Sequence, residues 1–251
     1  MMDLKTTRPL PNKFFGEIIG KVLEPSNPQA ALFIYLIIWT LLRLLLASSI
    51  ELSVDESYYW NWARVIDWGY FDHPPLVAWL ARISQELFGL SSFGTRAIFV
   101  LSGILFQYCL FLFLKELIEK SLVAYQSVLI LSSTPLFLFI FSFAVLPDSA
   151  LLLPWLLSML FLLRFLKRGN LVWIILWGLF VGLAMLAKVT AVTLFLSSFL
   201  VFCFVERKNL KFRKVLQVLS AVIVALAIFS PYLFWNADHN WPSFAFMAKR
   251  I

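Results

Sequence analysis

The chain has 251 residues, of which 61% are hydrophobic and only 14% are charged. Soluble domains contain about 25% charged residues, so the composition excludes an ordinary soluble protein and predicts an all-α polytopic membrane protein. In such a protein the net charge of +7 reflects basic cytoplasmic loops, and no pattern in the sequence indicates nucleic-acid binding.

Apolar segments predict about seven membrane spans within residues 30–251, after a polar cytoplasmic tail of residues 1–29. A continuous apolar run covers residues 171–205, interrupted only by Lys188. One helix of this length would measure about 52 Å, against a hydrocarbon core of about 30 Å, so two short spans that turn near Lys188 are expected. The predicted spans are 30–50, 95–114, 122–143, 150–163, two within 171–205, and 215–235.

Basic residues place the predicted loops on two sides of the membrane. They cluster at 164–168 and at 207–214, and Lys and Arg favour cytoplasmic loops. Both loops and the tail 1–29 are therefore expected in the cytoplasm. The segment 51–94, the turn around Asp148, Lys188 and the residues after 235 are then expected on the outer side.

The outer segment 51–94 shows two helical patterns. Apolar side chains recur at helical spacing from Tyr59 to Ile66, and again from Leu76 to Leu87, directly after two prolines. Proline is common at helix starts. Two amphipathic helices that lie in the membrane interface are predicted, and they could hold a lipid-linked molecule by its head group.

Two neighbouring acids, Asp55 and Glu56, follow the first span and are surrounded by aromatic residues. Carboxylates are costly near lipid, which favours acid–base or cation chemistry at the membrane surface. The alternative is that they cap the first interfacial helix. Asp148, at the start of the fourth span, could likewise take part in the chemistry or only cap a helix.

Five motifs occur in an order that is typical of one family. They are Asp55–Trp60, Gly69–Leu76, Pro147-Asp148, Ala187–Ala191, and Trp235-Asn236 with His239-Asn240-Trp241. In this set the chain resembles the family 39 glycosyltransferases, which include protein mannosyltransferases and lipid A aminoarabinose transferases. The resemblance implies a GT-C-type helix bundle in the bacterial inner membrane, with its site on the periplasmic side. It also implies that this chain is an N-terminal, truncated portion.

The resemblance further implies an inverting enzyme that moves a sugar from a polyprenyl-phosphate donor to a lipid, glycan or protein acceptor. Asp55 matches the family's catalytic acid and would act as general base on the acceptor hydroxyl. Asp148 matches the second acidic position of the site. Glu56, in the same motif, is also a catalytic candidate that would orient the acceptor, or it would serve only as a cap.

The remaining candidates are expected to bind substrate. The departing lipid phosphate carries negative charge that cations stabilise, and Lys188 is ranked above Arg96 and Arg43 for this contact. Arg43 could snorkel towards the outer surface or pair with an acid. Further candidates for the sugar or phosphate are Asp72, His73, Tyr58, Tyr59, Asn236 and His239. As alternatives, His73 could only shape the turn before Pro74, and Asn236 and His239 could belong to an ordinary interfacial loop.

The sequence contains no spacing of ligands that demands a metal, and whether a divalent metal is needed stays open. No cofactor is expected besides the lipid-linked donor. Two alternatives to an active enzyme remain: a transporter or flippase for a lipid-linked sugar, and an inactive truncated homologue. A transporter predicts polar groups near the middle of the membrane.

Overall fold

The structure is a computed structural model that describes residues 20–207 and 211–249. The predicted tail residues 1–19, Lys208 of the second basic loop and residues 250–251 lie outside this part. The described residues form α-helices and no β-strand. The helices are α1 Pro28–Ser49, α2 Val54–Arg64, α3 Leu76–Phe88, α4 Ser92–Ile118, α5 Ser121–Ser133, α6 Pro147–Arg168, α7 Leu171–Ala187, α8 Val192–Glu206, α9 Phe212–Asp238 and α10 Pro242–Ala248.

Five helical segments of the described chain are long and apolar enough to cross a membrane. They are α1, α4, α6, α9 and the segment Val189–Glu206, which joins a short 3-10 turn to α8. Helices α5 and α7 are apolar but shorter. The predicted polytopic helical protein is confirmed, and the helices follow the seven predicted apolar segments.

The third predicted span is not one continuous helix, so this detail of the prediction was wrong. Helix α5 ends at Ser133, and Thr134 has a ψ of 132°. The cause is Pro135, whose ring disfavours helical backbone in the residue that precedes it. A π-helical turn, Phe137–Phe141, then continues the segment.

The long apolar run folds as the two predicted passes. Lys188 separates α7 from α8 and has extended backbone, with a φ of −156°. Its ammonium group contacts Asp148 at the start of α6. Further along α8, the ring of Phe202 stacks 6.2 Å from that of Phe165, near the end of α6. The chain therefore reverses its direction at Lys188.

Helices α6, α7 and α9 form the centre of the bundle. On α7, Gly178 and Gly182 face Ala221 and Ala225 of α9, and a Cβ atom at either glycine would collide with backbone oxygen. Small residues at this spacing let helix backbones approach closely in membrane proteins. This packing brings the ends of α7 and α9 to one end of the bundle, here called the outer end. The contact between Lys188 and Asp148 brings the start of α6 to the same end.

The two predicted amphipathic helices, α2 and α3, are confirmed. They pack against each other, and α3 also packs against α4. Helix α2 buries Tyr59 and Ala63, while α3 buries Val77 and Ala81. They close the outer end of the bundle on the side where α1 ends and α4 begins.

Candidate active site

Helix α2 begins with a capping box, and this arrangement separates the two neighbouring acids. Ser53 Oγ accepts a hydrogen bond from the Glu56 backbone N–H at 3.3 Å, and Glu56 Oε2 accepts one from the Ser53 N–H at 2.9 Å. Asp55 lies between them in the first turn and is exposed. The capping interpretation is therefore confirmed for Glu56, while the cap position of α2 belongs to Ser53 and not to Asp55.

Glu56 also forms a buried ion pair with Arg96. Arg96 Nε lies 2.7 Å from Glu56 Oε1, and Arg96 Nη2 lies 2.6 Å from Oε2. The two side chains are only 1% and 3% exposed. This parallel pair of charge-assisted hydrogen bonds is the strongest geometry available to Arg and a carboxylate. Arg96 was expected to contact the donor phosphate; its guanidinium is instead occupied by Glu56 inside the protein.

The same ion pair joins four segments of the outer end. Arg96, on α4, donates to the carbonyl oxygens of Ile50 at 2.6 Å and Glu51 at 2.8 Å, just after α1. Glu56 Oε1 accepts from the backbone N–H of Val145, in the turn before α6, at 3.2 Å. The pair therefore fixes the backbone next to Asp55 and three residues before Asp148.

The ionisation of Glu56 follows from these contacts. Burial alone would raise the pKa of its carboxyl, but the hydrogen bonds from Arg96, Ser53 and Val145 outweigh burial and lower the pKa below its ordinary value. The carboxylate is charged at neutral pH, and its oxygens already accept hydrogen bonds. Glu56 was predicted to be catalytic, but this geometry suits a positioning residue rather than a proton acceptor.

Asp148 and Lys188 form a second ion pair, which is partly open to solvent. Lys188 Nζ lies 2.8 and 3.0 Å from the two carboxylate oxygens of Asp148. The side chains are 30% and 42% exposed, respectively. Asp148 lies in the first turn of α6, whose cap position belongs to Leu146. The cap interpretation of Asp148 is thus wrong, although an acid in a first turn still interacts well with the helix dipole.

Two tyrosines, Asp72 and His73 complete the arrangement. The hydroxyl of Tyr58 donates to Asp72 Oδ1 at 3.3 Å, and His73 Nδ1 lies 3.5 Å from Asp72 Oδ2. The ring of Tyr59 packs edge-to-face on His73, with centroids 6.1 Å apart. These contacts come from α2 and from the loop between α2 and α3, so Asp72 and His73 lie beside the residues that follow Asp55.

Tyr59 shows how closely the acids converge. Burial raises the pKa of its phenol, and the negative charges of Asp72, Asp55 and Asp148 raise it further. The phenol is therefore protonated at neutral pH, and the three carboxylates lie within electrostatic range of it. Asp55, Asp72, Asp148 and Lys188 are called the acidic cluster below. The structure brings these four predicted residues together with Tyr58, Tyr59 and His73.

Arg43 does not join the acidic cluster. It is 1% exposed, and its Nη1 donates to Gln107 Oε1 at 3.1 Å within the bundle. The guanidinium also lies 5.8 and 5.7 Å from the ring centroids of Trp39 and Phe137, at distances typical of cation–π contacts. The predicted snorkelling towards the surface was wrong, because Arg43 is held inside by these neighbours.

Asn236 and His239 differ from each other in accessibility. Asn236 is fully buried, donates to Tyr232 O at 3.0 Å and accepts from the Ser243 N–H at 3.3 Å. It joins α9 to α10 and has no exposed surface for a substrate. His239 is exposed and stacks on Trp235 with ring centroids 4.3 Å apart.

Two features of the site were missed in the sequence. The spacing Ser53-x-x-Glu56 is the capping-box pattern and identifies Ser53 as the cap. No local signal predicts that Glu56 pairs with Arg96, 40 residues away. Within the described residues, no group of three or more His, Cys, Asp and Glu side chains is arranged to hold a metal ion.

The helix order and the membrane-spanning helices define an integral membrane protein of the GT-C fold, as two solved structures show. The apo structure of ArnT from Cupriavidus metallidurans superposes with a TM-score of 0.65 at 19% identity, over 88% of this chain and 44% of that one. The structure of the same protein bound to undecaprenyl phosphate gives 0.67 at 19% identity, over 85% and 43%.

The sequence also defines the family. The sequence model described as dolichyl-phosphate-mannose-protein mannosyltransferase matches residues 72–235, more than half of the chain, and the chain belongs to this family. Lipid A galacturonosyltransferase RgtD from Rhizobium johnstonii is 24% identical over 217 residues, which are 85% of this chain and 45% of that protein. The chain thus spans less than half the length of these relatives.

Proposed function

We propose that this chain forms the active-site portion of an inverting glycosyltransferase that uses a polyprenyl-phosphate sugar. The observation that carries the proposal is the acidic cluster, in which three carboxylates and one lysine converge beside two tyrosines. Membership of a family of sugar transferases supplies the class of reaction. The site would lie on the periplasmic side of a bacterial inner membrane.

Asp55 is the proposed general base. Its carboxylate takes the proton from the acceptor hydroxyl while that oxygen attacks the anomeric carbon from the face opposite the phosphate. The bond between the anomeric carbon and the phosphate oxygen breaks, and the polyprenyl phosphate leaves with the bonding electrons. The configuration at the anomeric carbon is thereby inverted. Asp55 suits this role because it is exposed, whereas Glu56 is buried.

Lys188 is the proposed contact for the departing phosphate. Its ammonium is partly exposed and is held by Asp148, so it can turn towards an anion without leaving a buried charge unpaired. A fixed cation stabilises negative charge as it develops on the leaving group. Asp72 and His73 are proposed to bind hydroxyl groups of the donor sugar.

The relatives support particular substrates. ArnT has been solved with undecaprenyl phosphate, which supports a polyprenyl phosphate as the lipid of the donor. RgtD is a lipid A galacturonosyltransferase, which supports a glycolipid acceptor in the same membrane. The family description names protein mannosyltransferases, so a protein should be tested as the second kind of acceptor.

The direct test uses purified protein in lipid nanodiscs with a radiolabelled polyprenyl-phosphate sugar and envelope glycolipids as acceptors. The native protein is expected to transfer label, and Asp55→Asn is expected to lose about 10²- to 10⁴-fold of the rate, as general-base catalysis typically contributes. Glu86→Gln, an exposed change on α3, is the control. Native-like transfer by a folded Asp55→Asn variant would remove the proposed mechanism, and absence of transfer by the native protein would favour an inactive homologue.

One observation favours a transporter or flippase as the second candidate. Arg43, Gln107 and Ser132 form a polar group inside the bundle, in which Gln107 donates to Ser132 Oγ. Two guanidinium nitrogens of Arg43, Nε and Nη2, are buried without a hydrogen-bond partner among the described residues. Ionisable residues inside membrane helices often mark transport pathways. Movement of a lipid-linked sugar across proteoliposomes without any glycosidic product would support this alternative.

A further inference from the structure

A cavity lies next to the acidic cluster, and the proposed reaction does not use it. Its volume is about 520 Å³, within the range of small-molecule sites. It is formed by α2, the loop after α2 and the end of α9. The residues that matter here are Asn61, Trp62, Asp67, Tyr70, Trp235 and His239; we call it the aromatic pocket.

Two stacked pairs of rings form the walls of the aromatic pocket. Trp62 and Tyr70 stack with centroids 4.3 Å apart and planes inclined by 4°, and Trp235 and His239 stack at 4.3 Å and 19°. Gly69 lies directly against the indole of Trp235, and a Cβ atom there would overlap this ring. Flat, rigid faces of this kind pack against the C–H groups of a sugar ring at little entropic cost.

Two residues that line the aromatic pocket carry polar atoms with unused hydrogen-bonding capacity. His239 Nδ1 is 2.7 Å from the carbonyl oxygen of Trp235, which assigns the proton to Nδ1 and leaves Nε2 as an acceptor. Asn61 donates its amide to Ser57 O at 3.1 Å, so its side-chain oxygen can accept.

The corner between α9 and α10 is built in a conformation that costs energy. Asn240 and Trp241 have φ values of 63° and 59°, in the left-handed region, which a bulky residue such as Trp241 rarely adopts. The Trp241 N–H donates to Asn236 O at 2.7 Å, and Ser243 Oγ donates to Tyr70 O at 2.7 Å. These bonds hold the corner, and with it His239, against the Tyr70 wall. Backbone strain of this kind is concentrated at functional sites.

The charge of the aromatic pocket decides which substrate it suits. Among residues 20–207 and 211–249, no Lys or Arg lines it, whereas Asp67 does, so a phosphate would meet a like charge without a cation from this part of the chain to bind it. The donor phosphate therefore belongs with Lys188 and not here. A sugar ring that carries hydroxyl or amino groups but no phosphate matches both the aromatic faces and the acceptor atoms.

The aromatic pocket shares a wall with the proposed reaction site. Trp62, which stacks on Tyr70, also lies 4.8 Å from the ring of Tyr58 and 5.0 Å from that of Tyr59. We propose that the aromatic pocket binds an unphosphorylated sugar ring of the acceptor glycan and so presents a neighbouring hydroxyl to Asp55. The acceptor role rests on the proposed function, whereas saccharide binding can be measured without any transfer.

The experiment measures binding of a free glucosamine disaccharide to the detergent-solubilised protein by saturation-transfer NMR. The bisphosphorylated disaccharide is the comparison ligand, and a sample with detergent but no protein is the blank. The native protein is expected to bind the unphosphorylated form more tightly than the phosphorylated one. His239→Ala and Asn61→Ala should each weaken binding by about three- to tenfold, since each removes one hydrogen bond. Both side chains are exposed, so these variants should fold.

Matched controls separate this inference from the proposed function. Glu86→Gln, on the neighbouring helix α3, should bind the disaccharide like the native protein. Unchanged binding in His239→Ala and Asn61→Ala, or tighter binding of the bisphosphate, would overturn the aromatic pocket as a sugar site. If transfer is detected, the same two variants should raise the KM for the acceptor and leave the KM for the donor unchanged, and the opposite pattern would overturn the acceptor role. Failure to detect transfer bears on the proposed function alone.

Discussion

The Glu56–Arg96 pair and the Asp148–Lys188 pair join opposite charges at 2.6 and 2.8 Å near the same end of the bundle. Their surroundings differ. The first pair is at most 3% exposed and hydrogen-bonds to the backbone of neighbouring segments, whereas the side chains of the second are 30% and 42% exposed. A buried pair cannot lose one partner without leaving an uncompensated charge. A partly exposed pair can exchange its partner for a substrate.

This comparison assigns different tasks to residues that look alike in the sequence. The buried pair keeps the backbone around Asp55 and Asp148 in place. In the proposed function, the open pair supplies the groups that meet the donor. Adjacent residues, Asp55 and Glu56, thus belong to different parts of the site. Variants of the two pairs should therefore fail in different ways.

The largest expected effect is on stability, in the variant Arg96→Met. It leaves the buried Glu56 carboxylate without its partner, and breaking such a pair costs about 3–5 kcal/mol. The free energy of unfolding, measured by denaturation in mixed micelles, should fall by that amount. Arg82→Met is the matched control, because Arg82 pairs with Glu86 on exposed α3 at 2.6 Å and such pairs contribute about 0–1 kcal/mol. Equal losses in the two variants would contradict the distinction between buried and exposed pairs.

The next effect is on transfer, in the variant Lys188→Met. Loss of a fixed group that stabilises developing charge typically lowers the rate by about 10²- to 10³-fold. The free energy of unfolding should change by no more than about 1 kcal/mol, because the Asp148–Lys188 pair is partly exposed. Transfer kinetics and unfolding are measured on the same preparation. If the rate of Lys188→Met falls only in proportion to the fraction of folded protein, Lys188 has a structural role and does not contact the phosphate. Lys188→Arg keeps the positive charge and should retain part of the activity.

The smallest effect concerns pH. The folded state lowers the pKa of Glu56 below the unfolded value of about 4.3, so the carboxyl binds fewer protons when folded. Its stabilising contribution is complete above the unfolded pKa and is lost as the pH falls through the folded pKa. The unfolding temperature of the native protein should therefore drop as the pH falls below the unfolded pKa of about 4.3. Glu56→Gln should be less stable than the native protein at pH 7, and its unfolding temperature should fall less steeply at low pH. If the unfolding temperatures of the two proteins fall in parallel, Glu56 is not the group that causes the loss.

Much of the fold was readable from the sequence because membrane helices leave a strong local signal. The apolar segments and the bias of basic loops placed the helices, and the length of the 171–205 run predicted its turn at Lys188. The break after Ser133 was overlooked, although Pro135 marks it. Local rules thus recover the elements and miss their irregular ends.

The site was predictable in part, for a physical reason. Topology brings Asp55, Asp148 and Lys188 to the same end of the bundle, and this could be inferred from the order of spans. Which cation pairs with which acid depends on helix rotation and depth, which the sequence does not encode locally. Lys188 was ranked above Arg96 as a phosphate contact, but only the structure shows that Arg96 is held by Glu56 at the start of α2.

The central claim is that Asp55, Asp148 and Lys188 form one site on one side of the membrane. The most direct test is to determine from which side each position can be reached. Single cysteines replace Asp55, Asp148 and Lys188 in turn, and Lys167 and Arg213 at the opposite end serve as controls, in a protein from which Cys109 and Cys203 have been removed. A membrane-impermeant thiol reagent is added to intact spheroplasts. All three cluster positions should be labelled from outside, and both controls should be protected until the cells are lysed. Cluster positions that are labelled from opposite sides of the membrane would contradict this claim.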